Sequence, residues 1–181
     1  MGFELNILDW FQTLHTPVLD KFMTSVTKLG NAGIFWIILT VLFLLIPKMR
    51  KTGVVMAAAL IIDLLLCNVL LKNLVARIRP YDVNIGIQLL VAKLRDYSFP
   101  SGHTAASFAS AAALYFAGEK KLWKPALVLA CLIAVSRLYL YVHYPTDVLG
   151  GVVIGIIAGY LGYRLVKVLE DKFSRMKNGG E

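Results

Sequence analysis

The sequence predicts an all-α fold: a polytopic membrane bundle of about five transmembrane helices, preceded by amphipathic interfacial helices. Of the 181 residues, 58% are hydrophobic and 17% are charged, and the mean hydropathy is +0.69. Soluble domains carry about 25% charged residues, so the composition indicates an integral membrane protein. Five apolar stretches are each close to the ~20 residues that cross a hydrocarbon layer. They are residues 30–47, 53–71, 102–118, 122–142 and 147–166.

Residues 1–29 differ because charged side chains interrupt their apolar pattern. Leu8 and Phe11 belong to a set of apolar residues at helical spacing. A cationic start followed by an unbroken apolar run is absent from this segment, so it is not predicted to be a cleaved signal peptide. Pro17 is expected to break the segment into two interfacial helices. We therefore predict an interfacial segment (1–29), a transmembrane domain (30–170) and a basic tail (171–181).

The net charge of +8 could indicate nucleic-acid binding, but its distribution favours a membrane orientation instead. If the five stretches span the membrane, the loops at 47–52 and 118–125 and the chain after 163 share one face and hold 11 of the 19 basic residues. Cytoplasmic faces are richer in lysine and arginine. This face, with the C terminus, is therefore predicted to be cytoplasmic, and no nucleic-acid partner is expected.

Three clusters of basic and histidine side chains lie where the apolar stretches meet polar sequence. They are Lys72 with Arg79 and Pro80; Pro100, Ser101, Gly102 and His103; and Ser136, Arg137, His143 and Asp147. The predicted spans bring all three clusters to one membrane face, the extracytoplasmic one. Ionisable groups at such depth are rare and generally functional. We therefore predict a single site at this face.

The residue types in these clusters suit a phosphate ester. Lys72, Arg79 and Arg137 can bind phosphate oxygens, arginine through its planar fork and lysine as a point charge. The alternative is that basic residues at helix ends extend to the membrane surface as anchors, which is the role expected for Arg77 and Lys93.

The second and third clusters add hydrogen-bond donors and imidazoles. Ser101 and Gly102 begin a helix rich in small residues, whose N terminus can bind phosphate or be an ordinary cap. Asp147 follows His143 by four residues and can hold its imidazole, which makes His143 a plausible nucleophile. His103 can then protonate the leaving oxygen and later activate water.

In order and spacing, the three clusters resemble the motifs of the type-2 phosphatidic acid phosphatase superfamily at every motif position. The resemblance implies a metal-independent phosphatase with a phosphohistidine intermediate and no cofactor. It implies that His143 is the nucleophile, Asp147 orients it and His103 is the general acid. It also implies that phosphate is bound by Lys72, Arg79, Ser101, Gly102 and Arg137.

The expected partners are the lipid bilayer and a membrane lipid phosphate. Undecaprenyl diphosphate is the first choice of substrate, by analogy with small bacterial members of the superfamily, and phosphatidylglycerophosphate or phosphatidic acid is the second. A protein that binds an anionic lipid without catalysis is the alternative of another class, although binding alone needs no His143–Asp147 pair. The oligomeric state and the role of Asp63, a carboxyl group within a span, are left open, with a proton pathway as one alternative for Asp63.

Overall fold

A computed structural model describes residues 2–178, and every regular element in this range is a helix, which confirms the predicted all-α class. Met1 and the last three residues of the predicted tail, 179–181, lie outside the described part. In chain order the main elements are α1 (Gly2–Gln12), α2 (Pro17–Leu29), α3 (Ile34–Leu45), α4 (Arg50–Asp63), a π-helix (Leu64–Leu71), α5 (Lys72–Val75), α6 (Pro80–Val83), α7 (Gly102–Phe116), α8 (Trp123–Tyr139) and α9 (Pro145–Asn178). Short 3-10 helices at Asn31–Gly33 and Pro47–Met49 precede α3 and α4.

Each of the five predicted apolar stretches overlaps one of the longer helices, α3, α4, α7, α8 and α9. By length and composition, two stretches of the described chain can cross a membrane, Pro47–Val83 and Pro145–Met176. The pair α2 and α3 qualifies as a third span if the two helices, bent by 44°, are counted together. The helices α7 and α8 have 15 and 17 residues; α7 is largely buried, and α8 packs against α7 and α2. The predicted domain limit at residue 170 falls within α9.

Close packing of α9 against α7 fixes the two helix starts that carry the second and third clusters. Gly151 faces α7, and a Cβ added to it would lie 2.7 Å from the carbonyl oxygen of Ser101. The backbone N–H of Ser101 donates to the carbonyl oxygen of Asp147 at 3.0 Å. Small residues permit such an approach between membrane helices, and Gly151, Gly155 and Gly159 recur every four residues along the face of α9 that meets α7.

A buried aromatic cluster supports the loop between α8 and α9. Its aromatic members are Tyr81, Tyr139, Tyr141 and Tyr144. Tyr141 in this loop has a left-handed backbone (φ 59), which is unusual for a residue other than glycine. Its hydroxyl donates to Oδ1 of Asp9 in α1 at 2.6 Å and accepts from Asn84 at 3.1 Å. Leu8 of α1 and Met23 of α2 pack into the same cluster. The N-terminal helices therefore buttress the loop that presents His143.

Candidate active site

Direct contacts join the three clusters into one site. Nη1 of Arg79 lies 3.3 Å from Nε2 of His143, which links the first cluster to the third. A Cβ added to Gly102 would lie 3.7 Å from Nζ of Lys72, which places the first cluster beside the second. The bond from Ser101 to Asp147 links the second to the third. The predicted convergence of distant segments is thus present in the fold.

The imidazole of His143 is buried between a cation and a carboxylate. Its Nε2 faces Arg79, and its Nδ1 lies 3.6 Å from Oδ2 of Asp147. That separation exceeds hydrogen-bond length, and Nδ1 has no hydrogen-bond partner among the described residues. An Arg79 donor at Nε2 requires a lone pair there, so the proton of a neutral ring resides on Nδ1, the side of Asp147.

Burial and two neighbouring guanidinium groups keep His143 uncharged. Burial and the positive charges of Arg79 and Arg137 lower the pKa of His143 to about 3, against the opposing effect of Asp147. An imidazole with a lowered pKa is neutral at pH 7 and offers a free electron pair. The ring is therefore in the protonation state that a nucleophile needs.

The carboxylate of Asp147 is completely buried and accepts several hydrogen bonds. Its Oδ2 accepts from the hydroxyl of Ser98 at 2.5 Å and from the backbone N–H of Tyr144 at 2.9 Å. Its Oδ1 accepts from Nη1 of Arg77 at 2.6 Å. These donors fix the carboxylate beside the ring of His143.

Arg137 and His103 are positioned by the segment around the end of α2. Nη1 of Arg137 donates to the hydroxyl of Thr27, while Nε has no partner among residues 2–178. Nε2 of His103 lies 2.9 Å from Oδ1 of Asn31. A Cβ added to Gly30 would lie 2.7 Å from the ring of His103, so the chain passes very close to this imidazole.

Asp96 is a member of the site that was not predicted from the sequence. It lies in the irregular segment between α6 and α7, and its carboxylate bridges Lys72 and Arg79. Burial opposes its ionisation, but the two cations outweigh burial and lower the pKa of Asp96 to about 2. The only sequence signal was an acidic residue five positions before Ser101.

The prediction that Arg77 is an interfacial anchor is wrong. Its Nη2 donates to Oε2 of Glu4 in α1 at 2.6 Å, in addition to the bond from Nη1 to Asp147. Its guanidinium also lies 3.8 Å from the ring centre of Tyr144. Arg77 therefore connects the N-terminal helix to the carboxylate beside His143. Lys93, by contrast, has an exposed side chain and pairs with Asp82 at 3.4 Å.

Replacing Arg77 by glutamine is expected to lower kcat about 10- to 100-fold with little change in KM. A charged hydrogen bond contributes about 1.5–3 kcal/mol, and about 1.4 kcal/mol corresponds to tenfold in rate. Without Arg77 the buried Asp147 carboxylate loses its cation and supports a charged imidazole less well. Steady-state kinetics of phosphate release measure both constants. Arg95→Gln, at an exposed arginine, is the control, and an unchanged kcat in Arg77→Gln would reduce Arg77 to a structural role.

An apolar groove leads away from these polar groups. It has a volume of about 630 Å³, with Lys72, Asp96, Gly102 and His103 at its polar end. Its apolar wall is formed by side chains of α3, α4 and the π-helix, namely Ile37, Val41, Leu44, Ala57, Leu60, Ile61 and Leu64. Asp63 also lines the groove, and its Oδ1 has no hydrogen-bond partner within the described chain. The apolar groove thus begins at the cationic site.

The sequence profile described as the PAP2 superfamily matches residues 52–171, which include all three clusters. The chain belongs to the PAP2 superfamily. The family predicted from the three motifs is therefore confirmed. In the described range, no three His, Cys, Asp or Glu side chains are grouped so as to hold a metal ion.

Known PAP2 relatives and structures resemble most of the chain. An undecaprenyl-diphosphatase of Sulfolobus acidocaldarius is 29% identical over 91% of this chain and 79% of its own length. The undecaprenyl-diphosphatase BcrC of Bacillus subtilis is 31% identical over 86% of this chain and 79% of its own length. The crystal structure of LpxE from Aquifex aeolicus superposes with a TM-score of 0.77, at 28% identity, over 88% of this chain and 94% of that one.

A second solved structure is the PAP2-type phosphatidylglycerolphosphate phosphatase of Bacillus subtilis. It superposes with a TM-score of 0.73 at 29% identity, over 94% of this chain and 86% of that one. These likenesses confirm the predicted class, a membrane phosphatase of the PAP2 superfamily, and the bundle that carries it.

Proposed function

We propose that this protein removes the terminal phosphate of undecaprenyl diphosphate, leaving undecaprenyl phosphate in the membrane. The observation that carries the proposal is the continuity of the cationic site with the apolar groove. A diphosphate bound at Lys72 and Arg79 places its hydrocarbon chain along α3 and α4. The two relatives named as undecaprenyl-diphosphatases support this choice of lipid.

The reaction would proceed through a phosphohistidine on His143. Its Nε2 attacks the terminal phosphorus, and the bond from phosphorus to the bridging oxygen breaks. His103 donates a proton to the departing undecaprenyl phosphate when the leaving oxygen needs one, and later accepts a proton from the water that attacks the phosphohistidine. Orthophosphate leaves, and His143 returns to its neutral form.

The cations and the start of α7 would stabilise the charge that develops on the phosphoryl oxygens. Arg79 and Arg137 supply planar donors, Lys72 a point charge, and Ser101 and Gly102 the helix N terminus. Asp147 would stabilise the positive charge that His143 acquires on attack. This scheme assigns the chemistry to side chains and backbone groups of the protein, without a metal or cofactor.

Phosphatidylglycerophosphate is the second candidate substrate, because the solved structure named for that activity superposes over 94% of this chain. The test is a substrate panel on purified protein in detergent with EDTA. It comprises undecaprenyl diphosphate, phosphatidylglycerophosphate, phosphatidic acid and a soluble phosphate monoester. We expect the highest kcat/KM for undecaprenyl diphosphate. Binding of these lipids without release of orthophosphate would favour the non-catalytic alternative.

We also propose that the site faces the extracytoplasmic side, on the basis of the distribution of lysine and arginine between the two faces. In a variant lacking Cys67 and Cys131, Ala92→Cys places a thiol on the exposed loop before α7, and Lys120→Cys places one at the opposite face. In intact cells a membrane-impermeant maleimide is expected to label the thiol introduced by Ala92→Cys only. Labelling of the Lys120→Cys variant alone would reverse the orientation.

A further inference from the structure

The carboxylate of Asp96 occupies the two cations that would bind phosphate in the proposed function. Its Oδ2 pairs with Nζ of Lys72, and its Oδ1 accepts from Nη2 of Arg79 at 2.7 Å. The carbonyl oxygen of Asp96 also accepts from Nε of Arg79 at 2.8 Å. The remaining Arg79 nitrogen, Nη1, contacts the carbonyl oxygen of Val142 and the ring of His143. Nη2 of Arg79 also donates to the carbonyl oxygen of Tyr97 at 3.2 Å. A phosphoryl oxygen that binds Nη2 of Arg79 and Nζ of Lys72 must therefore displace the carboxylate of Asp96.

The position of Asp96 allows such a replacement. Its side chain is 49% exposed, whereas Lys72 and Arg79 are 8% and 2% exposed. It lies on an irregular segment and faces the groove that also contacts His103 and Gly102. The two cations are thus buried in the fold, while the half-exposed carboxylate has room to turn outward.

The net charge of the site also indicates that phosphate and the carboxylate of Asp96 compete for the same cations. Lys72, Arg79 and Arg137 carry three positive charges, and Asp96 is the carboxylate in ion-pair contact with two of them. Arg137 pairs with no carboxylate of the described chain. Three cations with one carboxylate match the double negative charge of a terminal phosphoryl group. Without the carboxylate, the site would carry one excess positive charge and hold orthophosphate more tightly.

Resting on the proposed function, we propose that Asp96 is a built-in counter-anion that competes with phosphate for Lys72 and Arg79 and thereby speeds release of orthophosphate. Substrate displaces the carboxylate from the two cations. Once the phosphohistidine has been hydrolysed, the returning carboxylate takes over the same nitrogens and repels the product. Asp96 thus weakens the binding of phosphate instead of contributing to it.

The test is the dissociation constant of orthophosphate, measured by calorimetry on the purified full-length protein. We expect Asp96→Asn and Asp96→Ala to bind orthophosphate on the order of tenfold more tightly than wild type. Both should also show stronger product inhibition and a lower kcat. Asp96→Glu keeps the charge and should stay near the wild-type value. Asp82→Asn removes an exposed carboxylate that pairs with Lys93 and is the matched control.

The opposite result has a clear meaning. If Asp96 only held Lys72 and Arg79 in place, its loss would weaken orthophosphate binding, so equal or weaker binding in both variants would overturn the inference. Wild-type protein that releases no orthophosphate from any lipid in the panel would overturn the proposed function, a different result in a different assay. Thermal denaturation of each variant identifies a loss of folding. If one of the variants Asp96→Asn and Asp96→Ala does not fold, the orthophosphate affinity of the other decides between the two outcomes.

Discussion

Replacing His143 by alanine is expected to abolish release of orthophosphate from undecaprenyl diphosphate, with kcat falling on the order of 10⁴-fold or more. The reason is the lone pair on Nε2, which faces Arg79 at 3.3 Å inside a buried site. Alanine provides no group to form the covalent intermediate, and water alone attacks phosphorus slowly. A colorimetric orthophosphate assay measures the loss, and no phosphorylated protein should be detected in the variant.

Orthophosphate binding separates loss of the nucleophile from collapse of the site. His143→Ala retains Lys72, Arg79 and Arg137, so it should still bind orthophosphate. His15→Ala is the matched histidine control, because His15 stacks on Tyr139 at the edge of the aromatic cluster and contacts no group of the proposed reaction. It should stay within a few-fold of wild type. Full turnover by His143→Ala would refute the assignment of His143 as nucleophile.

The helices and the convergence of the site were predictable because both depend on strong local patterns. A long apolar stretch in a chain with this little charge has few options other than a helix. Motif residues at the end of one span and at the start of the next must then lie at the same face. Hydropathy does not reveal the π-helix at Leu64–Leu71, whose wider turn changes the direction in which the following Lys72 points.

The partners of the motif residues were not predictable, since they come from segments without a periodic pattern. Asp96 and Ser98 lie in an irregular loop, and their contacts with Arg79 and Asp147 form only when the bundle closes. Thr27 belongs to an amphipathic helix, α2. An apolar face of this kind packs equally well on a membrane surface or on other helices, so the sequence did not show that α2 would contact Arg137.

Replacing His103 by alanine is expected to trap the phosphorylated enzyme when undecaprenyl diphosphate is the substrate. The leaving group is then a phosphate, which is weakly basic and departs with little help from a proton donor. Attack by water on the phosphohistidine, in contrast, needs a group that accepts a proton, and general acid–base catalysis contributes about 10²–10⁴-fold. We expect kcat to fall in that range, while phosphate from a labelled substrate accumulates on the protein.

The chemistry of the trapped species identifies the residue and the substrate class together. Phosphohistidine is labile in acid and stable in base, and the label should disappear in the double variant His103→Ala, His143→Ala. The leaving group of a phosphate monoester such as phosphatidylglycerophosphate is a strongly basic alkoxide. The first step with such a substrate therefore needs the proton from His103. His103→Ala should therefore form the phosphorylated enzyme with the diphosphate but not with the monoester. Equal labelling by both substrates would show that a different group protonates the leaving oxygen.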